Sequence, residues 1–141
     1  MAIPNVDVNY IAVLISGVIS IILGSLWYSP VLFGNAWMKE MGISVKDIEK
    51  TKKKGMGKYY FAAFIGALVT AFILGIFIKW IGASSFFDGI QTGFWAWLGF
   101  IVPVSLGSVL WENKSIKYYL INVSYHLVNL ALMGGILGMW G

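Results

Sequence analysis

The chain has 141 residues, 59% of them hydrophobic and 11% charged, with a net charge of +4 and no cysteine. Soluble domains carry about 45–50% apolar and about 25% charged residues; a soluble fold of this composition would expose apolar patches far larger than monomers tolerate. The absent cysteines exclude disulfides, thiolate metal sites and cysteine nucleophiles, and the single histidine excludes a two-histidine haem within one chain.

Residues 1–9 are short and polar, with Asp7 and no lysine. A secretory leader needs a basic start and a small-residue cleavage site, so the first apolar run, about 10–28, is expected to be retained. Ser16, Ser20 and Gly24 lie four apart on one face of that run, a spacing that lets another helix approach closely. The run closes on Trp27-Tyr28-Ser29-Pro30-Val31-Leu32-Phe33-Gly34-Asn35-Ala36-Trp37. Pro30 pushes the residue before it toward extended geometry. Trp27, Tyr28, Phe33 and Trp37 are the kind of rings that anchor at a membrane–water interface. Residues 31–41 suit a short amphipathic piece in the headgroup plane. Ser44 with Asp47 three residues later forms a capping box, and Ile43 with Ile48 a hydrophobic staple. A surface helix of about 45–54 follows, ended by Gly55. Its Lys52-Lys53-Lys54 run reads as a solvated basic segment, with binding to anionic lipid headgroups as the sharper alternative.

The second apolar run, about 59–81, carries Ala63, Ala67, Ala71 and Gly75 as a small-residue stripe. A turn at Ala83-Ser84-Ser85 leads to the third run, about 86–111. Gly89 and Gly93 form a GxxxG pair there, and Asp88 suits the positive end of the helix dipole. Pro103 is expected to kink this helix and free a carbonyl near Gly99 for a neighbouring Ser or Thr. A turn at 112–115 precedes the fourth run, about 116–140, with Gly134 and Gly138 as a close-packing site. Runs of about 20 residues match a hydrocarbon core about 30 Å thick. The fold class expected is all-α: one integral membrane domain over 1–141, four transmembrane helices in a bundle, and a short surface helix between helices one and two. Leu23–Trp27 and Leu106–Trp111 echo one another, over too few residues to establish a repeat.

All ten basic residues are lysines. Seven lie between helices one and two, and Lys114 and Lys117 flank the turn between helices three and four. Only Lys79 falls near the other connection. The positive-inside rule makes the nine-lysine side cytoplasmic, loop 31–57 included, and puts both termini outside a cell membrane.

Polar residues inside membrane helices are costly and therefore informative. Helix four has Asn122, Tyr125, His126 and Asn129 at spacings of three and four. His126 lies near mid-depth, where an imidazole either relays protons or bonds across to another helix. Glu112 ends helix three and is expected to pair with Lys114 or Lys117. A candidate binding site thus comprises Trp27, Tyr28, Glu112, Asn122, Tyr125, His126 and Asn129, between helices one, three and four. No serine–histidine–acid set, phosphate-binding Gly loop or metal cluster is visible. Catalysis, metal, cofactor and nucleic acid are therefore not expected.

Three segments resemble the domain of unknown function 1761 family of small integral membrane proteins. They are Gly24-Ser25-Leu26-Trp27-Tyr28-Ser29-Pro30-Val31-Leu32-Phe33-Gly34-Asn35-Ala36-Trp37-Met38, Tyr119-Leu120-Ile121-Asn122-Val123-Ser124-Tyr125-His126-Leu127-Val128 and Met133-Gly134-Gly135-Ile136-Leu137-Gly138-Met139-Trp140. The family pattern would carry Gly at Ser124. The resemblance implies four transmembrane helices in a bacterial or archaeal membrane, and it implies no activity. Abundant packing surface without chemistry points to a non-enzymatic structural or accessory subunit, a homo-oligomer or part of a larger membrane complex. The alternative is a small transporter or a lipid or small-molecule binding protein using the polar site above.

Overall fold

The structure, a computed structural model, describes residues 7–140. The leader-free start expected over residues 1–6 lies outside the described residues. Helix α1 (Tyr10–Trp27) is capped by Asn9, whose side chain accepts from the amides of Ile11 (3.0 Å) and Ala12 (3.1 Å). α2 (Gly34–Met41) and α3 (Val45–Lys53) follow. The capping box at Ser44 and Asp47 is present. The Ser44 amide, and then its hydroxyl, hold the Asp47 carboxyl below the usual carboxylate range. A depressed acid stabilises the fold above its unfolded pKa and stops doing so as pH falls through its folded one, so this cap is lost on acidification.

α4 (Gly57–Ile81) ends at Gly82, whose φ of +81° only glycine adopts without strain. The third span starts with α5 (Phe86–Ala96) and does not continue as one kinked helix. A π-helical turn, Trp97–Ile101, is followed by two single-turn helices, α6 (Val102–Ser105) and α7 (Gly107–Leu110). Pro103 lacks an amide and crowds the carbonyl four residues back, and the Val102 amide reaches Trp97 O one residue further back than in an α-helix. No Ser or Thr side chain bonds the Gly99 carbonyl among the described residues; the side-chain bond near this break is from the Tyr119 phenol to Val102 O at 2.9 Å, a carbonyl that also accepts from the Leu106 amide. α8 (Ile116–Met139) completes the chain.

Four segments are long and apolar enough to cross a membrane: Tyr10–Trp27, Gly57–Ile81, Phe86–Leu110 and Ile116–Met139. Large apolar side chains stand exposed along all four, among them Ile11, Phe61, Phe100 and Leu120. Such a surface is stable against lipid and not against water. This is an all-α, multi-pass membrane protein.

Glycines set the packing. α5 crosses α8 so closely that a Cβ on Gly89 would collide with the Gly134 carbonyl, one on Gly93 with the Leu130 carbonyl, and one on Gly138 with the Ser85 carbonyl. α1 meets α4 where Leu68 fills the space a Gly17 side chain would need. In the α4 stripe Ala67, Ala71 and Gly75 are buried, whereas Ala63 is exposed.

α1 and α8 run antiparallel. Asn9 donates to Trp140 O at one end (3.1 Å), and Tyr28 reaches Asn122 at the other. The buried apolar core gathers toward the end away from the lysines: Val8, Ala12, Ala71, Ile78, Met133 and Leu137. The lysine-rich half is looser.

Gly89→Ala places a methyl against backbone that has no rotamer to give way, so it should cost about 2–3 kcal/mol, at the upper end for overpacked sites. Gly57, with nothing within 4 Å of its would-be Cβ, supplies the control. Thermal unfolding in detergent should separate the two alanine variants. Equal melting temperatures would show that the α5–α8 crossing is wider than described.

Candidate functional site

The site begins with the turn after α1. Its backbone folds back on itself: the Phe33 amide donates to Trp27 O (2.9 Å) and the Gly34 amide to Ser29 O (2.8 Å). A side chain at Gly34 would put its Cβ 2.5 Å from the Tyr28 carbonyl oxygen, so the turn closes only over glycine. The closed turn aims Trp27 and Tyr28 at α8. The Trp27 indole donates to Ile121 O at 3.1 Å, and the Tyr28 phenol to the Asn122 side-chain oxygen at 2.6 Å. Phe33 packs 4.8 Å from the Trp27 ring and Trp37 5.6 Å from the Tyr28 ring, centre to centre. α2 is tied to the start of α8 because the Ser115 hydroxyl donates to the Glu40 carboxylate at 2.7 Å.

Behind this turn lies a cavity of about 480 Å³ between the end of α1, the broken half of the third span and α8. Tyr28 and Asn122 form one wall and Ser105 and Ser108 face it. Glu112 and Tyr118 stand at the lysine-rich end, and His126 lies inward. His126 is ten residues into α8, about 15 Å at 1.5 Å per residue. Neither His126 nor Glu112 makes a side-chain hydrogen bond or ion pair among the described residues. The ion pair expected between Glu112 and a lysine is not formed there. Lys114 instead sits 5.6 Å from the Tyr118 ring centre. A free carboxylate beside Tyr28, Trp111 and Tyr118 is chemistry that suits a cationic amine, through a charge-assisted hydrogen bond and ring faces.

The seven candidate residues are thus only partly brought together. Tyr28, Glu112, Asn122 and His126 share the cavity. Trp27 is spent on the Ile121 carbonyl and on ring contacts with Phe33 and Tyr125. Tyr125 turns toward α1, donating to Ser20 O at 3.2 Å, and lines a separate recess with Gly24 and Tyr60. Asn129 lies further along α8, buried, and its side-chain oxygen has no partner. Ser16 Oγ is likewise buried and unpartnered. The α1–α8 register, Ser20 opposite Tyr125, puts Ser16 at the level of Asn129, one turn further from the cavity.

Six cavity residues were not among the seven: Val104, Ser105, Gly107, Ser108, Trp111 and Tyr118. Ser105, Ser108 and Glu112 stand three and four apart, the spacing of one helix face. That spacing was the available signal. No cluster of three His, Asp or Glu side chains able to hold a metal occurs among the described residues.

No curated protein and no solved structure matches the chain. One family model, described as "Protein of unknown function (DUF1761)", matches residues 11–138, almost the whole chain and every element that builds the cavity. The chain therefore belongs to the DUF1761 family.

Proposed function

We propose that this is a non-enzymatic binding protein of the cell membrane that takes a small amine-bearing molecule into the cavity between α1, the third span and α8. The observation that supports this most is the contrast within one cavity. Tyr28 and Asn122 satisfy each other, while Glu112 and His126 face the same space with no partner of their own among the described residues. A free acid at the edge of an aromatic-lined cavity favours a cation over an anion or a neutral sugar. The packed core at the opposite end leaves the cavity closed toward that side. A one-sided site fits capture, or one state of a carrier, better than a continuous pore.

The lysine asymmetry supports a cytoplasmic mouth, with both termini outside. A second role, as a self-associating subunit, is favoured by one face of α4. Ala62 and Gly66, four apart, stand exposed there, and nothing lies within 4 Å of a Cβ on Gly66. Small residues on a bare face permit close approach of a second helix.

Three measurements test these proposals. A cysteine at Ser84 should react with an impermeant thiol reagent from outside intact cells, and labelling only from the cytosol would reverse the orientation. In detergent, choline and short alkylamines should raise the melting temperature of the wild-type protein, as a ligand at about 100 times its Kd adds about 2.7 kcal/mol. The shift should vanish in Glu112→Gln; an equal shift in that variant, or none in the wild type, would remove the amine site. Finally, copies carrying a cysteine at Gly66 should cross-link in native membranes. A strict monomer that cross-links nowhere would remove the subunit role.

A further inference from the structure

A second, unrelated groove runs between α4 and α5, at the end away from the nine clustered lysines and on the side where Lys79 lies. Its outer part is a cavity of about 530 Å³ at the α4–α5 turn, lined by Asp88, Gln91 and Thr92 together with Phe77, Trp95 and Phe100. Its inner part, about 290 Å³, continues along the same wall and shares Phe77, Ala96 and Phe100 with the first. Val69, Ile73, Leu74 and Leu130 make that continuation almost wholly apolar. The outer part lies beside Gly82 and Ala83, where the chain turns between two spans and the bilayer gives way to headgroups. The groove is thus polar at the interface and apolar in the hydrocarbon, with continuous walls between.

Asp88 is the one charged side chain among the residues lining the polar end. Asp88 is exposed, and its carboxylate makes no hydrogen bond or ion pair among the described residues. The Ser85 hydroxyl accepts from the Asp88 amide (3.1 Å), and the Thr92 hydroxyl donates to the Asp88 carbonyl (2.9 Å). Both bonds hold the backbone at this position and leave the acid free. Trp95 lines the same space about 10 Å further along α5, at 1.5 Å per residue. A carboxylate at headgroup depth and an apolar slot below it complement a lipid with an amine headgroup. They disfavour a lipid whose headgroup is purely anionic.

We propose that the α4–α5 groove holds one bilayer lipid of the ethanolamine-headgroup class. Its ammonium meets Asp88, and one acyl chain lies against Trp95, Phe77, Phe100 and Leu130. This site is separate from the amine cavity at the lysine-rich end and does not depend on it.

Native mass spectrometry of the full chain in mild detergent tests this, with phosphatidylethanolamine and phosphatidylglycerol of identical acyl chains added in equal amounts. The ethanolamine lipid should be retained about three- to fivefold over the glycerol lipid, the scale of one partly exposed charge contact. Asp88→Asn should bring that ratio to about one while some lipid remains bound. Ala96→Phe fills the shared wall and should remove both adducts. Because Ala96 packs against the core, Thr70→Trp, which fills the exposed lip of the inner groove, is the second blocking variant. Equal retention of the two lipids by the wild type would overturn the headgroup assignment. Adducts that survive in folded Ala96→Phe and Thr70→Trp proteins would overturn the groove itself.

Discussion

The arrangement depends on one contact made without side chains. Where α5 crosses α8, Gly89, Gly93, Gly134 and Gly138 let carbonyls of one helix occupy the space a Cβ would take on the other. In lipid no hydrophobic force drives helices together, since acyl chains are as apolar as leucine. Close backbone approach, with its dispersion contacts, takes over that role. Once α5 is held against α8, the rest of the third span is committed to the α8 surface. The Trp97 indole then bonds the Val123 carbonyl at 2.7 Å, and the Tyr119 phenol the Val102 carbonyl at 2.9 Å.

The same crossing explains why the two ends of the bundle differ. Away from the lysines, small residues on α1, α4 and α8 interlock around Ala12, Ala71 and Met133, all fully buried. Toward the lysines the third span loses α-helical geometry from Trp97, one and a half turns before Pro103, and its last two turns do not keep the approach that the glycines set. The cavity with Glu112 and His126 occupies the space left by that divergence. A break in a helix is tolerated at membrane depth when it lines a cavity or is buried in protein. Here the broken segment does line one.

Polar groups inside the bundle fall into two kinds. Most are consumed by the fold: Tyr28 with Asn122, Tyr125 with Ser20, and the Trp27 and Trp97 indoles with α8 carbonyls. Interhelical bonds of this sort are each worth on the order of 1 kcal/mol in membranes, and they orient helices more than they bind ligands. Glu112 and His126 are left facing open space. Ser16 and Asn129 are buried without partners at a third level, a cost of roughly 1–3 kcal/mol each when unmet.

By itself the sequence determined the class, the four spans to within about two residues, the capping box at Ser44, the turn at Pro30 and the small-residue faces. Each of these follows from local physics: hydrocarbon-length apolar runs, caps three residues apart, and proline and glycine backbones. Which small residue meets which was decided by tertiary structure alone. Gly89 packs against Gly134, while Ala63 of the other stripe stays exposed. Only the tertiary structure, too, divided the polar face of α8, because helical spacing places Asn122, Tyr125 and Asn129 together without saying which neighbour each will face. The rotation of α8, set by its glycine contacts with α5, turns Asn122 and His126 to the cavity and Tyr125 to α1. The break after Ala96 was legible as a proline, but its width was not. The number of residues a broken turn takes up depends on the helix packed beside it.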